Sequence, residues 1–322
     1  MADIYVTKSV ACVLLSLELL QTGLASDASP APGQARLRQG QAAAVAAHRP
    51  WVWEVQTTHA RIWIIGCLHL GTSSDAAFFQ SYLPFYRKAS AIYFETVPGS
   101  SNSYEMKRLI DRRGFLSDRQ SLSSRVSKET WQKLTSTLRN RPKGLAAVKA
   151  MEPWLAAFTL MQDGYARAGL DGVNSLGTFV QNLALQDKKS IGALETSKDQ
   201  ILAMADASLA AQEEFLRDTL SCLEKLDSGT QTLRAAWLSG NQSDLQSALG
   251  LDSSGSRSGM HQNLIEKRNR RWVDEIKKIA ERGGDSLIVV GVEHLVATPY
   301  ALPDLLDQSG FEVRRVAHQF GG

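Results

Sequence analysis

The segments Ile64-Ile65-Gly66-Cys67-Leu68-His69-Leu70 and Val289-Val290-Gly291-Val292-Glu293-His294-Leu295 share one pattern: two β-branched residues, a glycine, two variable residues, a histidine and a leucine. Each closes the best strand signal in its part of the chain. Parallel sheets carry their functional groups at the carboxyl ends of strands. Glycine there permits a sharp turn or the close approach of another group, and a histidine three residues on leans over the sheet end. One such histidine is most often a hydrogen-bonded loop residue; two in matched contexts point to paired half-sites. Two imidazoles with a carboxylate and no thiolate cluster suit a divalent cation, Mn, Co, Zn or Fe, with an open coordination position. Such a centre polarises a carbonyl and acidifies bound water, which is hydrolase chemistry, and a spare carboxylate acts as general base.

The carboxylates come from two further strand ends. Residues 91–96 read as an apolar strand ending on Glu95. The order strand–His69, helix, strand–Glu95 is a βαβ unit, which favours parallel pairing with both ends on one edge. Topology thus brings Glu95 towards His69. A short strand over residues 189–194 ends on Glu195-Thr196. Asp171 follows a helix stop and either caps the next helix or points into the site. Cys67 stands two residues before His69, so in an extended strand both face the same way. Cys67 and Cys222 do not make a disulfide framework and read as two buried free thiols.

The remaining elements position these ends. Residues 51–55 and 61–68 alternate as a β-hairpin. Helical patterns follow over residues 104–112, 129–139 and 152–167, and a helix follows Asp171. Residues 197–262 form a helical insertion that covers one side of the sheet. A strongly amphipathic helix over 260–282 buries Ile265, Trp272, Ile276 and Ile279 and stops at Gly283-Gly284. A strand over 286–291 carries the second motif, and 312–316 closes the domain.

The chain has 322 residues, of which 43% are hydrophobic and 21% charged, ample for a sizeable core. A net charge of +3, with basic and acidic residues interspersed, argues against a nucleic-acid partner. Lys8, the apolar run over residues 10–17 and the small residues Gly23 and Ala25 fit a secretory signal over residues 1–25. The run is short for a membrane span, so no transmembrane anchor is expected in the mature chain. Residues 26–49 read as a flexible leader and 50–322 as the domain. HExxH, Walker A, GxSxG and strand-borne GxGxxG motifs are all missing, which leaves serine-hydrolase, nucleotide-dependent and dehydrogenase functions without support.

Gly66-Cys67-Leu68-His69, Glu95, Gly169-Leu170-Asp171, Leu194-Glu195-Thr196, Arg268-Asn269 and Gly291-Val292-Glu293-His294-Leu295 occur in the order seen in the TraB/GumN family. The chain resembles that family, which includes the Tiki-type metalloproteases, from Trp51 to Val316. The resemblance implies an α/β fold of two related sheet–helix halves facing across a cleft, with the helical insertion added. It implies a peptidase-like site with His69, Glu95 and His294 on the metal. Glu95, Glu195 and Arg268 then carry catalysis, with Asp171 a further acid and Arg268 orienting substrate or ligands. Gly66, Cys67, Asn269, Gly291 and Glu293 fall in or beside the motifs. The chain departs from the pattern at Cys67, where a small hydroxyl residue is commoner, and at Glu293, where a small residue is commoner. The expected function is a periplasmic metal-dependent hydrolase with a peptide or protein substrate. The alternative is a non-catalytic periplasmic protein that binds a metal or haem or serves as an accessory.

Overall fold

The structure is a computed structural model that describes residues 48–251 and 258–316. The expected signal segment, and the leader as far as residue 47, lie outside the described residues. His48, inside the expected leader, is already part of the packed structure: its ring is buried against Phe78, Tyr82 and Trp237.

Six strands form one mixed sheet in the order β4-β3-β5-β2-β1-β6. They are β1 (Val52–Gln56), β2 (Ala60–Cys67), β3 (Ala91–Phe94), β4 (Ser190–Ala193), β5 (Gly284–Gly291) and β6 (Glu312–Arg315). The pairs β2–β5, β5–β3 and β3–β4 are parallel, while β1 runs antiparallel to both β2 and β6. The α/β class and the β1–β2 hairpin are as expected. Strands from both halves of the sequence join in this single sheet. Though β2 and β3 are parallel, as the βαβ order required, they are not neighbours: β5 runs between them. The two motif strands therefore lie side by side, with Cys67 opposite Gly291 and Phe94 opposite Val289.

Every residue of β2 from Ile62 to Cys67 is buried, as is β5 from Ser286 onward. Burial on both faces is what helix-covered parallel strands require and explains their unbroken Val/Ile runs. One layer is α1 (Leu83–Lys88), whose Phe85 and Tyr86 enter the sheet core with Tyr82. The sheet is also covered by a long amphipathic helix ending in Gly283, whose φ of 74° only glycine adopts freely. Trp272, Ile276 and Ile279 are its core-facing stripe.

The remaining helices divide between the sheet core and a second apolar cluster. In chain order these are α2 (Tyr104–Gly114), α3 (Lys128–Thr137), α4 (Pro142–Val148), α5 (Pro153–Arg167), α6 (Leu176–Gln186), α7 (Ser197–Ala205), α8 (Leu209–Leu223), α9 (Leu226–Ser239) and α10 (Gln242–Ala248). A helical turn at Gly259–His261 and one π-helical turn, Gln262–Glu266, lead into the long helix, α11 (Lys267–Arg282). After β5 come α12 (Glu293–Val296) and α13 (Leu302–Gln308). The second cluster draws on α2, α3, α4, α5, α7 and α8, while α6, α9 and α10 pack on the sheet core. Among the described residues no helix is long and apolar enough to cross a membrane.

The sheet centre predicts where truncation costs most. Ile64 is fully buried on β2, whereas Leu185 on α6 is 58% exposed. Ile64→Ala should lower the unfolding free energy by about 3 kcal/mol. Leu185→Ala should change it by less than about 0.5 kcal/mol. Urea denaturation of both variants checks the contrast.

Candidate functional site

The site forms where β2, β5, β3 and β4 end together. Glu95 follows β3 and Glu195 follows β4; the Glu195 amide donates to the Glu95 carbonyl at 2.9 Å, carrying the pairing one step past the strands. The next helix, α7, opens with a capping box between Thr196 and Asp199. That box fixes the first turn and aims Gln200 back at the sheet, where its Nε2 donates to Glu95 Oε2 at 3.1 Å.

The strand between His69 and Glu95 must have no side chain at its last position. A Cβ placed on Gly291 would lie 2.5 Å from His69 Nε2 and 3.4 Å from Glu95 Oε1. Because the glycine leaves that space free, His69 Nε2 stands 3.4 Å from Glu95 Oε1 across the end of β5. The Gly291 amide donates to the same oxygen at 2.7 Å. Gly66 has a packing role, with Val292 and Leu295 pressed against its Cα.

Arg268, on the first turn of α11, is the hub. Its Nη2 is 2.6 Å from Glu95 Oε2 and 2.6 Å from Glu195 Oε1, and its Nε donates to Glu195 Oε1 at 2.8 Å. Its Nη1 donates to the Leu264 carbonyl at 2.9 Å, in the π-helical turn, and lies 3.3 Å from His294 Nε2. The side chain is 1% exposed, so it works as the buried counter-charge of two carboxylates. Asn269, the next residue, orients His294. Its Nδ2 donates to the carbonyls of His294 and Tyr300 at 3.0 and 2.8 Å. Its Oδ1 must therefore accept from His294 Nδ1, 2.6 Å away. His294 is the Nδ1–H tautomer, with the Nε2 lone pair turned to Arg268 and to Glu95 Oε1, 4.0 Å away. Trp272 closes the back, 4.3 Å from the His294 ring and 4.7 Å from the guanidinium carbon.

The charges follow from these contacts. Burial alone would raise the Glu95 pKa, but Arg268 and then His69 hold the carboxyl well below its usual range. Burial opposes charge on Arg268, and Glu195 and Glu95 overcome it, holding its pKa above the usual value. Burial and then Arg268 push His294 well below the imidazole range, so it is neutral. Burial also opposes charge on His69, but the Cys67 sulfur, 3.7 Å from Nδ1, and then Glu95 hold its pKa up at about 10.

His69, Glu95, Glu195, Arg268, Asn269, Gly291 and His294 therefore converge. Cys67 is a buried free thiol against His69. The expectation of two free thiols is corrected to one: among the described residues Cys67 is the free cysteine and Cys222 is disulfide-bonded. Asp171 does not reach the centre; it is exposed, pairs its backbone with Gly71 and holds Asn174 in the turn before α6. Ser175, not Asp171, caps that helix. Glu293 turns away to His261, 3.3 Å from its Nε2. Reading the sequence missed Gln200 and the Leu264 carbonyl. The Thr196–Asp199 capping box was a visible signal for Gln200; a π-helical turn leaves no comparable mark.

For a cation, the donor types are right. Ligands about 2.1 Å from a tetrahedral centre stand about 3.4 Å apart, which is the His69–Glu95 spacing. His294 has the fixed tautomer that a ligating imidazole shows. Its spacing to Glu95 is wider, however, and the Arg268 arm lies on its lone pair. Among the described residues no three or more His, Cys, Asp or Glu side chains already form a cation cage. The donor types suit a cation, while the Arg268 arm occupies the lone-pair side of His294.

Two measurements check these protonation states. In ¹⁵N NMR, His294 should show the Nδ1–H tautomer and stay neutral as pH falls through about 6.5, where an unperturbed imidazole titrates. The raised pKa of His69 contributes stability that is complete below the unfolded value and lost as pH rises through about 10. The melting temperature of His69→Gln should therefore fall less than that of the wild type over that alkaline limb.

Comparison with known proteins agrees with the geometry at the level of family. The model of the TraB/PrgY/gumN family matches residues 51–315, from the first strand to the last. Curated proteins and solved structures gave no match. The matched span takes in all six strands and every residue of the converging set, and the chain belongs to the TraB/PrgY/gumN family.

Proposed function

We propose that the protein is a metal-dependent hydrolase of peptide or related acyl bonds, with a divalent cation, Mn, Co, Zn or Fe, held by His69, Glu95 and His294. The carrying observation is that Nε2 atoms of two imidazoles, one from each motif, face the same carboxylate oxygen, at 3.4 and 4.0 Å. When bound, the cation supplies Lewis acidity and lowers the pKa of a bound water. The chain's own residues prepare the centre. Asn269 presents the His294 lone pair, Gly291 and Gln200 orient Glu95, and Arg268 neutralises the two carboxylates. Glu195 Oε2 accepts no hydrogen bond and lies 3.5 Å from Arg271 Nη2, so in this reading it serves as the general base only as that ion pair loosens. His69 is the most exposed member of the centre at 14%, against 5% or less for Glu95, Glu195, Arg268 and His294, so substrate enters from its side. A cleft of about 350 Å³ is lined by Leu68 and Leu70, on either side of that histidine in the chain, with Leu170, Leu233, Asp75 and Arg234, and offers a substrate both apolar and charged contacts. The N-terminal pattern of Lys8 and the apolar run after it supports action in the periplasm.

Glu95→Gln and His294→Ala should each lower kcat/KM on a peptide substrate by at least about 100-fold and weaken cation binding in calorimetry. Cleavage that survives both substitutions, or an excess of chelator, would sink this reading. A second, non-catalytic reading is favoured by the closed Arg268–Glu95–Glu195 ion network. It predicts cation or haem binding with no turnover on any peptide.

A further inference from the structure

We infer that Arg268 is a resident cation standing at the metal position of His294, so that metal binding at this centre is an exchange in which the guanidinium arm leaves as the ion arrives. The inference rests on the reading of His69, Glu95 and His294 as the ligands. Neutral imidazole has one lone pair, on the nitrogen without the proton. Asn269 fixes that proton on Nδ1 of His294, and Arg268 Nη1 faces the remaining lone pair at 3.3 Å. Nε2 cannot accept that donor and ligate an ion at the same time.

The arm is built to hold this place and to yield it. Its other contacts do not depend on His294: Nη1 also donates to the Leu264 carbonyl, and Nε and Nη2 hold Glu195 and Glu95. The Trp272 ring lies against both the guanidinium and the His294 ring, giving a flat surface over which the arm can shift without opening the core. With the arm in place, the guanidinium balances the buried carboxylates, and the centre is stable without an ion. An arriving ion takes over part of that balance. The cost of displacing the arm sets the affinity of the site below what its ligands alone would give.

Arg268→Lys separates the two roles of this residue. An ammonium still neutralises Glu95 and Glu195 but has no second arm for His294. Isothermal calorimetry with Zn²⁺, Mn²⁺ and Co²⁺ should show Arg268→Lys binding at least about tenfold tighter than the wild type, with circular dichroism confirming the fold. Equal or weaker binding by the variant, with the wild type binding, overturns the inference and leaves the ligand assignment standing. Binding by neither overturns both. A second measurement needs no substitution. On Zn²⁺ addition to the wild type, the His294 Nε2 resonance and the Arg268 guanidinium resonances should shift together. A His294 shift with unchanged Arg268 resonances also overturns the exchange.

Discussion

Glu95 and Glu195 lie buried at the ends of adjacent parallel strands and share one guanidinium, that of Arg268. A buried carboxylate without a counter-charge is strongly unfavourable, and removing one partner of a buried pair costs about 3–5 kcal/mol. The pair is therefore a constraint on the whole carboxyl edge of the sheet. It ties β3 and β4, which bring the acids, to α11, which brings the base. The helical cover between β4 and α11 starts and finishes at the ends of this one interaction. The π-helical turn before α11 adds to it by giving Arg268 the Leu264 carbonyl, in keeping with the tendency of such turns to occur at functional sites.

The order β3-β5-β2 gives the motif glycine its meaning. Had β2 and β3 been neighbours, His69 and Glu95 would have met directly. With β5 between them, the contact crosses the last residue of that strand, and only a glycine leaves the room. The same residue donates its amide to the carboxylate being approached. The second motif thus contributes an opening and a hydrogen bond at Gly291 as well as its own histidine three residues on. The two motifs are unequal in solvent access and charge. His69 is nearer the surface, with its pKa held up by Cys67 and Glu95, so an arriving cation must displace a proton there; His294 is enclosed, neutral and fixed by Asn269.

Much of this was legible in the sequence. The apolar runs before Gly66 and Gly291 marked the two motif strands, and the βαβ order put Glu95 on their edge. Arg268-Asn269 stood out because it belongs to an ordered set of motif fragments. What was not legible depends on contacts between distant elements. Nothing in the residues around β5 says that it inserts between β2 and β3. Glu293 sits inside the motif yet faces His261, because the turn into α12 sends its side chain away from that of His294. Asp171 had the composition of a site acid, but the backbone bridge to Gly71 keeps it at the surface. Cys222 showed nothing locally to separate it from a free thiol.

The account turns on His69, Glu95 and His294 forming one cation centre. Anomalous diffraction at the zinc edge, from crystals grown with Zn²⁺, tests this most directly. The account predicts a single strong peak within bonding distance of His69 Nε2, Glu95 Oε1 and His294 Nε2, with the Arg268 arm turned aside. A peak that misses either histidine, or no peak at this edge of the sheet under saturating Zn²⁺, would contradict it.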